Sequence, residues 1–287
     1  MSERMQDMED DGSVKEKSFS NGDVYIGKFK GELLHGMGKY TWTNGTIYEG
    51  DWVDGKVTGK GIMNWGNGAI FDGCWSNGLS HGYGVYRSAN GNVYTGNWEK
   101  GERHGKGIMK WANDDVFDGY WSNGHKHGYG VYRFANGDVY AGNWEKGEKD
   151  GKGIMNWGNG AIFDGYWSNG LSHGYGVYRS ANGNVYTGNW EKGERDGKGI
   201  MKWANGDVFD GYWSNGQKHG YGVYRFANGD VYTGNWKNNK MDGRGIMNWS
   251  NGTMYEGDWV DGQMIGNGLM IPGFLCTFLK TIRPIII

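Results

Sequence analysis

Cysteine and proline are nearly absent from this chain, which has two of each in 287 residues. Cys74 lies in the first third and Cys276 near the C-terminal end, so the disulfide framework of a small secreted domain is not expected. The opening stretch, MSERMQDMEDDGSVKEKS, is polar and of mixed charge. It has no apolar core of a secretory signal, and the expected location is the cytoplasm. On that reading the sequons at Asn44, Asn248 and Asn251 are by-products of turn sequences. An excess of either charge is also missing, since 30 basic residues face 32 acidic ones. A general nucleic-acid surface would be strongly basic, and none is expected. No run approaches the ~20 apolar residues that cross a bilayer as a helix. The most apolar segment, Ile271 to Ile287, is broken by Lys280, Arg283 and Pro284. It either caps the array that precedes it, dips into an interface, or marks where a longer chain would continue.

What the chain has in excess is glycine, with 57 residues, and aromatic side chains, at 16%. Both follow one period. Aromatic residues open a unit at Tyr25, Tyr48, Phe71, Tyr94, Phe117, Tyr140, Phe163, Tyr186, Phe209, Tyr232 and Tyr255, always 23 residues apart. Four residues later comes a second large aromatic, Phe29 in the first repeat and a tryptophan from Trp52 to Trp259 in the others. A fixed period of this length marks a tandem array.

Within one repeat, FDGYW alternates, with Phe163, Gly165 and Trp167 on one side and Asp164 and Tyr166 on the other. This is the period of a strand. After SNGLS the run HGYGVYR alternates again, placing Gly174, Gly176 and Tyr178 together and opposite Tyr175, Val177 and Arg179. Asn169-Gly170 supplies the positive φ values of a tight reversal, so each repeat reads as a β-hairpin joined to the next through ANG. Its few aromatics cannot offset the ordering of a whole hairpin, so neighbours must stack, with glycines leaving flat backbone on which rings lie. The fold class is therefore all-β: an elongated, single-layer antiparallel sheet of tandem hairpins. At ~4.8 Å per strand it extends on the order of 100 Å. The array spans 20–270, preceded by a polar N-terminus (1–19) expected to be disordered and followed by the apolar tail (271–287).

Two longer periods overlie the first. Repeats alternate between KGIMKW (Lys106 to Trp111) and YGVYRF (Tyr129 to Phe134). Residues 61–144 and 153–236 differ only at Cys74/Tyr166, His104/Asp196, Asp114/Gly206, His125/Gln217 and Ala141/Thr233, the mark of a duplicated block of four repeats. A solenoid tolerates such insertion because it only lengthens. Function is expected along a surface and not in one pocket.

Local chemistry gives little support for catalysis. A phosphate-cradling loop opens a helix, no helix is readable, and the glycines follow the repeat. The histidines at 81, 104, 127, 173 and 219 fall in different repeats, and even adjacent repeats lie about 10 Å apart, too far to share a metal whose nitrogens lie at ~2 Å. Only His125 and His127 are close, and the duplicate has Gln217 in place of the first. Asp72, Asp118, Asp164 and Asp210 recur as solvated strand residues, and Asp114 replaces a loop glycine, which predicts a looser connection there. No metal, cofactor or catalytic residue is expected. The face opposite the ring stripe carries Lys60, Arg87, Lys106, Lys110, Arg133, Lys152, Arg179, Lys198, Lys202, Arg225 and Arg244. Interleaved with Tyr83, Ile108, Tyr129, Tyr175 and Tyr221, they form rows that suit anionic lipid head groups, a protein partner, or plain solvation. The tryptophan and tyrosine stripe reads as core or groove lining, and exposed parts of it would favour protein partners or pairing of two copies.

The pattern Y-x-G-x-W, H-G-x-G-x-Y, N-G, as in YTGNWEKGERHGKGIMKWANDDVF, resembles the MORN repeat (membrane occupation and recognition nexus) over roughly Asn21 to Leu269. Ser20 to Trp52 closely resembles the first such repeats of plant phosphatidylinositol-4-phosphate 5-kinases. That resemblance implies partners: phosphatidylinositol 4-phosphate, phosphatidic acid, the plasma membrane and a kinase domain. No kinase domain follows the array in this sequence. The family's His-Gly becomes Thr58-Gly59, Asp150-Gly151, Asp196-Gly197, Asp242-Gly243 and Ile265-Gly266, so the histidine has no chemistry common to all repeats. The expected function is a non-catalytic scaffold that binds anionic phospholipids at the cytosolic face of the plasma membrane or docks a protein such as a lipid kinase. The alternatives are the regulatory N-terminal part of such a kinase and a self-associating spacer that forms a homodimer.

Overall fold

The computed structural model describes residues 12–273. It contains 23 strands, from β1 (Lys15–Ser18) to β23 (Gln263–Ile271), and no helix among the described residues. By contacts the chain divides into two units, the first made of residues up to Gly137 plus Asn143–Gly147, the second of Asp138–Gly142 plus everything from Glu148. In the first, each strand from β1 to β11 (His125–Arg133) pairs antiparallel with the next in sequence. The second runs the same way from β13 (Glu148–Asn156) to β23. The expected all-β sheet of tandem hairpins is what forms.

After the first hairpin, which has Gly31 alone, each turns on two residues with positive φ, such as Asn169 at 48° and Gly170 at 81°. The turn is tied back to the preceding repeat, where Gly170 N–H donates to the Lys149 carbonyl at 2.9 Å. The connection between hairpins is a tight loop in which Ser180 N–H donates to Asn184 O and Gly183 N–H to Ser180 O.

One face of each unit is a ring layer. In the second unit Phe163, Tyr178, Tyr186, Met201, Phe209 and Tyr224 are successive register partners. Beside them runs a ladder of Gly165, Gly176, Gly188, Gly199, Gly211 and Gly222. The opening ring lies flat over these glycines, and a Cβ on Gly165 would stand 2.8 Å from Phe163 Cζ. Inside the array such a ring is gripped edge-on by two tryptophans, as Phe163 is by Trp167 and Trp190, both with centroids 5.2 Å away, while Tyr25 at one end meets Phe29 and Trp52. The indoles are held in turn, with Trp167 Nε1–H donating to Gly153 O at 3.1 Å.

Three expectations need correction. Gly174 does not join the inner face with Gly176 and Tyr178, because its φ is +63° and a Cβ there would approach Tyr166 on the outer face. The strand register shifts at this point, where Gly165 pairs with Gly176 but Tyr166 with His173. The connection at Asp114 is no looser than its counterparts, since Asp114 keeps φ at 69° and its N–H donates to Trp111 O at 3.0 Å. Lys15–Ser18, placed in the polar N-terminus, forms a strand on β2 (Val24–Lys30). Residues 1–11, and 274–287 of the apolar tail with Cys276, lie outside the described residues. Cys74 is a free thiol.

Candidate functional site

All eleven basic residues named from the sequence are exposed and stand on the outer face. The register arranges six of them in lines with branched apolar residues between. In the first unit the line runs Ile70, Arg87, Val93, Lys110, Val116, Arg133, and in the second Ile162, Arg179, Val185, Lys202, Val208, Arg225. A parallel line interposes acid, as where Asp164 sits between Ile154 and Val177. Lys60, Lys106, Lys152, Lys198 and Arg244 form a third set beside Cys74, Tyr120, Tyr166, Tyr212 and Asp258 respectively. Tyr83, Tyr129, Tyr175 and Tyr221 are each more than half exposed, and Ile108 somewhat less. His35, His104, His127 and His173 face carboxylates, the last with Nδ1 and Glu191 Oε2 at 3.2 Å. No group of three metal-ligating side chains occurs among the described residues.

The inner face holds a second set of cations that the sequence reading passed over. Read down the 23-residue column, positions 34 to 264 are Leu34, Val57, Ser80, Arg103, Lys126, Lys149, Ser172, Arg195, Lys218, Met241 and Met264. The long members lie across the tryptophans. Lys218 Nζ is 4.3 Å from the Trp236 ring centre and 4.5 Å from that of Tyr224. Lys126 is 4.0 Å from Trp144, Lys149 4.1 Å from Trp167, and Arg195 4.3 Å from Trp213. Such stacking is worth about 0.5–2 kcal/mol, more as water is excluded. Burial pushes the Lys218 ammonium down to about 8, with the Asp207 charge opposing. Burial raises Asp207, but bonds from Ala227 N–H, Tyr224 and Asn205, with the Lys218 charge, bring it below the usual carboxylate range. Tyr224 Oη donates to Asp207 at 2.8 Å.

At Ser80 and Ser172 the column is short, and two further columns shorten with it. Ser88 and Ser180 stand where the other repeats have an aromatic, such as Phe134 or Phe226, save the last, which has Pro272. Ala69 and Ala161 stand where Asp115 and Asp207 hold the lysine repeats. These truncations open one cavity in each unit. That in the second is about 760 Å³, walled by Trp157, Phe163, Trp167, Tyr178, Tyr186 and Trp190 with Ser172, Ser180, Glu194 and Arg195 at its polar edge. Its twin of about 610 Å³ in the first has Trp65, Phe71, Trp75, Tyr86, Tyr94 and Trp98 with Ser80, Ser88, Glu102 and Arg103. Tyr178 also turns. Its ring meets Trp190 at 72°, whereas Tyr224 lies at 35° to Trp236. Without the carboxylate, the Tyr178 hydroxyl makes no hydrogen bond within the described residues. The stripe taken as core or groove lining is thus core along most of its length, opened by truncation at these two places and also beside Leu34, where Phe19, Tyr40, Trp42 and Trp52 wall about 400 Å³. Three columns that shorten together were the available signal.

The MORN repeat family model matches at residues 25–47, 48–70, 71–93, 94–116, 117–139, 140–162, 163–185, 186–208, 209–231, 232–254 and 255–271. No curated protein matches the sequence. Among solved structures, the TCP10 domain of Danio rerio CPAP in complex with a STIL peptide is 13% identical, with 88% of this chain and 98% of that chain covered and a TM-score of 0.36. The SAS-4 (dCPAP) TCP domain of Drosophila melanogaster, in complex with a proline-rich motif of Ana2 (dSTIL), is 15% identical over 61% of this chain and 83% of that chain, with a TM-score of 0.29. An inactive virginiamycin B lyase from Staphylococcus aureus is 13% identical over 90% and 88%, with a TM-score of 0.16. At these scores nothing about this chain rests on the three likenesses.

Proposed function

The chain belongs to the MORN repeat family, and from that premise we propose that it is a non-catalytic docking scaffold of the cytoplasm that takes polypeptide segments in its two ring-walled cages. The observation that carries the reading is the twinned cavity, set where three columns shorten together on a face that most repeats fill with their own side chains. An aromatic wall with a few polar groups at its edge is the usual make-up of a recognition site, and Trp and Tyr dominate the energetics of protein interfaces. The test is selection from a random peptide library on the full chain, with counter-selection on a variant carrying Ser88→Phe and Ser180→Phe. These substitutions restore the residue type that most other repeats carry, so the fold should tolerate them. Peptides that need the open cages support docking, and a library that yields none refutes it.

A second reading assigns the outer face to anionic phospholipids such as phosphatidylinositol 4-phosphate or phosphatidic acid at the plasma membrane. It is favoured by the alternation of basic and branched apolar residues along one register line, which lets charges meet head groups while the apolar residues enter the interface. Each basic residue near an anionic surface contributes about 1 kcal/mol. Liposome co-sedimentation at low and high salt, with Arg179→Glu, Lys202→Glu and Arg225→Glu combined, tests it. Salt-sensitive binding lost in the variant is expected, and binding that ignores both refutes it. The kinase relation rests on the resemblance of Ser20 to Trp52 alone, and a transcript that continues from the array into a lipid-kinase domain would decide it.

A further inference from the structure

We propose that each cage receives a lysine or arginine side chain, with an aromatic side chain beside it, from the docked polypeptide. This rests on the docking reading and adds the chemistry of the occupant. The neighbouring repeats display that occupant within the chain. Lys218 occupies a box of Trp203, Phe209, Tyr224 and Trp236, at 5.6, 5.7, 4.5 and 4.3 Å from the four ring centres. Around Ser172 the same offsets place Trp157, Phe163, Tyr178 and Trp190, the same four ring types, and the box is open. Beside the lysine box Phe226 packs on Tyr224 with centroids 4.5 Å apart, and Phe134 on Tyr132 at 4.3 Å. Ser180 stands where that ring would be. The open cage therefore lacks one cation on an aliphatic stem and one ring, which a partner can supply.

The charge of the occupant follows from what surrounds it. Ring faces carry negative quadrupole and attract a desolvated cation. In the second unit Glu194 stands at the edge of the cage, as Glu102 does in the first. The Tyr178 hydroxyl, which in the filled repeats is spent on a carboxylate, is free to accept from an ammonium or guanidinium. Arg195 also borders the cavity, but its guanidinium is committed to the Trp213 ring at 4.3 Å and donates through Nη2 to Gly216 O at 2.8 Å. The loss of the aspartate together with the lysine fits a cage that must stay stable while empty. Asp23, whose column has Leu34 in place of a cation, is held instead by Thr43 N–H, Tyr40 and Asn21, and Ala161 needs no such partners.

The test uses the full chain and three fluorescently labelled heptapeptides, Gly-Ser-Lys-Ser-Phe-Ser-Gly and its counterparts with norleucine or glutamate for lysine. Alternate residues of an extended peptide share a face, so lysine and phenylalanine enter together. Fluorescence anisotropy should show the lysine peptide binding about tenfold more tightly than the norleucine one, the ratio expected for a desolvated cation over rings, with no binding of the glutamate peptide. A variant with Ala69→Asp, Ser80→Lys, Ala161→Asp and Ser172→Lys rebuilds the Lys218–Asp207 arrangement in both cages. It should melt no lower than the parent and lose the peptide about tenfold. Should that variant fail to fold, Ser88→Phe with Ser180→Phe fills the ring position instead and serves the same purpose. Equal affinity for norleucine, or undiminished binding by a folded filled variant, overturns the proposal. Failure of all three peptides, while the library yields cage-dependent binders without a basic residue, overturns the basic occupant and leaves docking standing. A library without any cage-dependent binder overturns both.

Discussion

Replacing Gly165 with alanine probes the device on which the whole array depends. The new Cβ would stand 2.7 Å from Gly176 Cα and 2.8 Å from Phe163 Cζ, against ~3.5–4.0 Å for relaxed carbon contacts. About 1 Å must be found, and neither neighbour gives easily. Gly176 is backbone in the adjacent strand, and Phe163 is 2% exposed and gripped by two tryptophans. The cost should therefore reach the upper part of the ~1–3 kcal/mol seen for overpacked cores. Gly174→Ala is the comparison, because its nearest neighbour is 3.6 Å away and only its φ of +63° resists a side chain. It should cost about 1–2 kcal/mol. Combining Gly165→Ala with Phe163→Leu removes the ring tip that the Cβ meets, so the pair should be less damaging than the two single changes added, by about 1 kcal/mol or more. Urea midpoints followed by tryptophan fluorescence give the energies, and hydrogen exchange at the Trp167 and Gly176 amides shows where the loss is felt. That second readout matters because repeat arrays need not unfold in one step. A Gly165→Ala chain within ~0.5 kcal/mol of the parent, or strict additivity with Phe163→Leu, would refute the ring-over-glycine account.

Alkaline unfolding should begin near pH 10. Burial raises Tyr25, Tyr94 and Tyr232 to about 12, so above 10 the unfolded chain loses phenolic protons that the fold retains, and stability falls until the folded groups ionise as well. A pH titration of the melting temperature that stays flat from 10 to 12 would contradict this. Lys218 acts in the opposite sense, since its folded value of about 8 lies below the ordinary one. Its burial penalises folding below pH 8, and the penalty is relieved as pH rises from there towards 10.5. A Lys218→Met chain should lack that rise, as difference melts against the parent would reveal. Trp167→Phe should cost about 1–3 kcal/mol, because it removes the indole N–H that satisfies Gly153 O at 3.1 Å in a buried position. An unchanged urea midpoint would show that bond to be idle.

Much of this was legible in the residues because the relevant physics is local. Asn169-Gly170 declares a reversal by φ alone, and the alternation Phe163, Gly165, Trp167 declares a buried face by side-chain period. The outer basic residues were placed correctly for the same reason. Gly174 was misplaced because alternation assumes an unbroken strand, and the register shift beside Tyr166 is a property of two paired strands. Asp114 was misjudged because an aspartate tolerates the left-handed region when its N–H has a partner, as Trp111 O provides. The inner cations were missed because a lysine among charged neighbours looks solvated until its stem is seen lying on Trp144 or Trp236.

By itself the sequence determined the period, the hairpin, the two faces and the need to stack, since these follow from side-chain alternation and turn chemistry within 23 residues. Only the tertiary structure decided what is empty. Ser172, Ser180 and Ala161 are unremarkable small residues in the chain. They become a cavity when pairing of successive strands brings three truncated positions against rings that, in neighbouring repeats, close over a lysine, a phenylalanine and an aspartate.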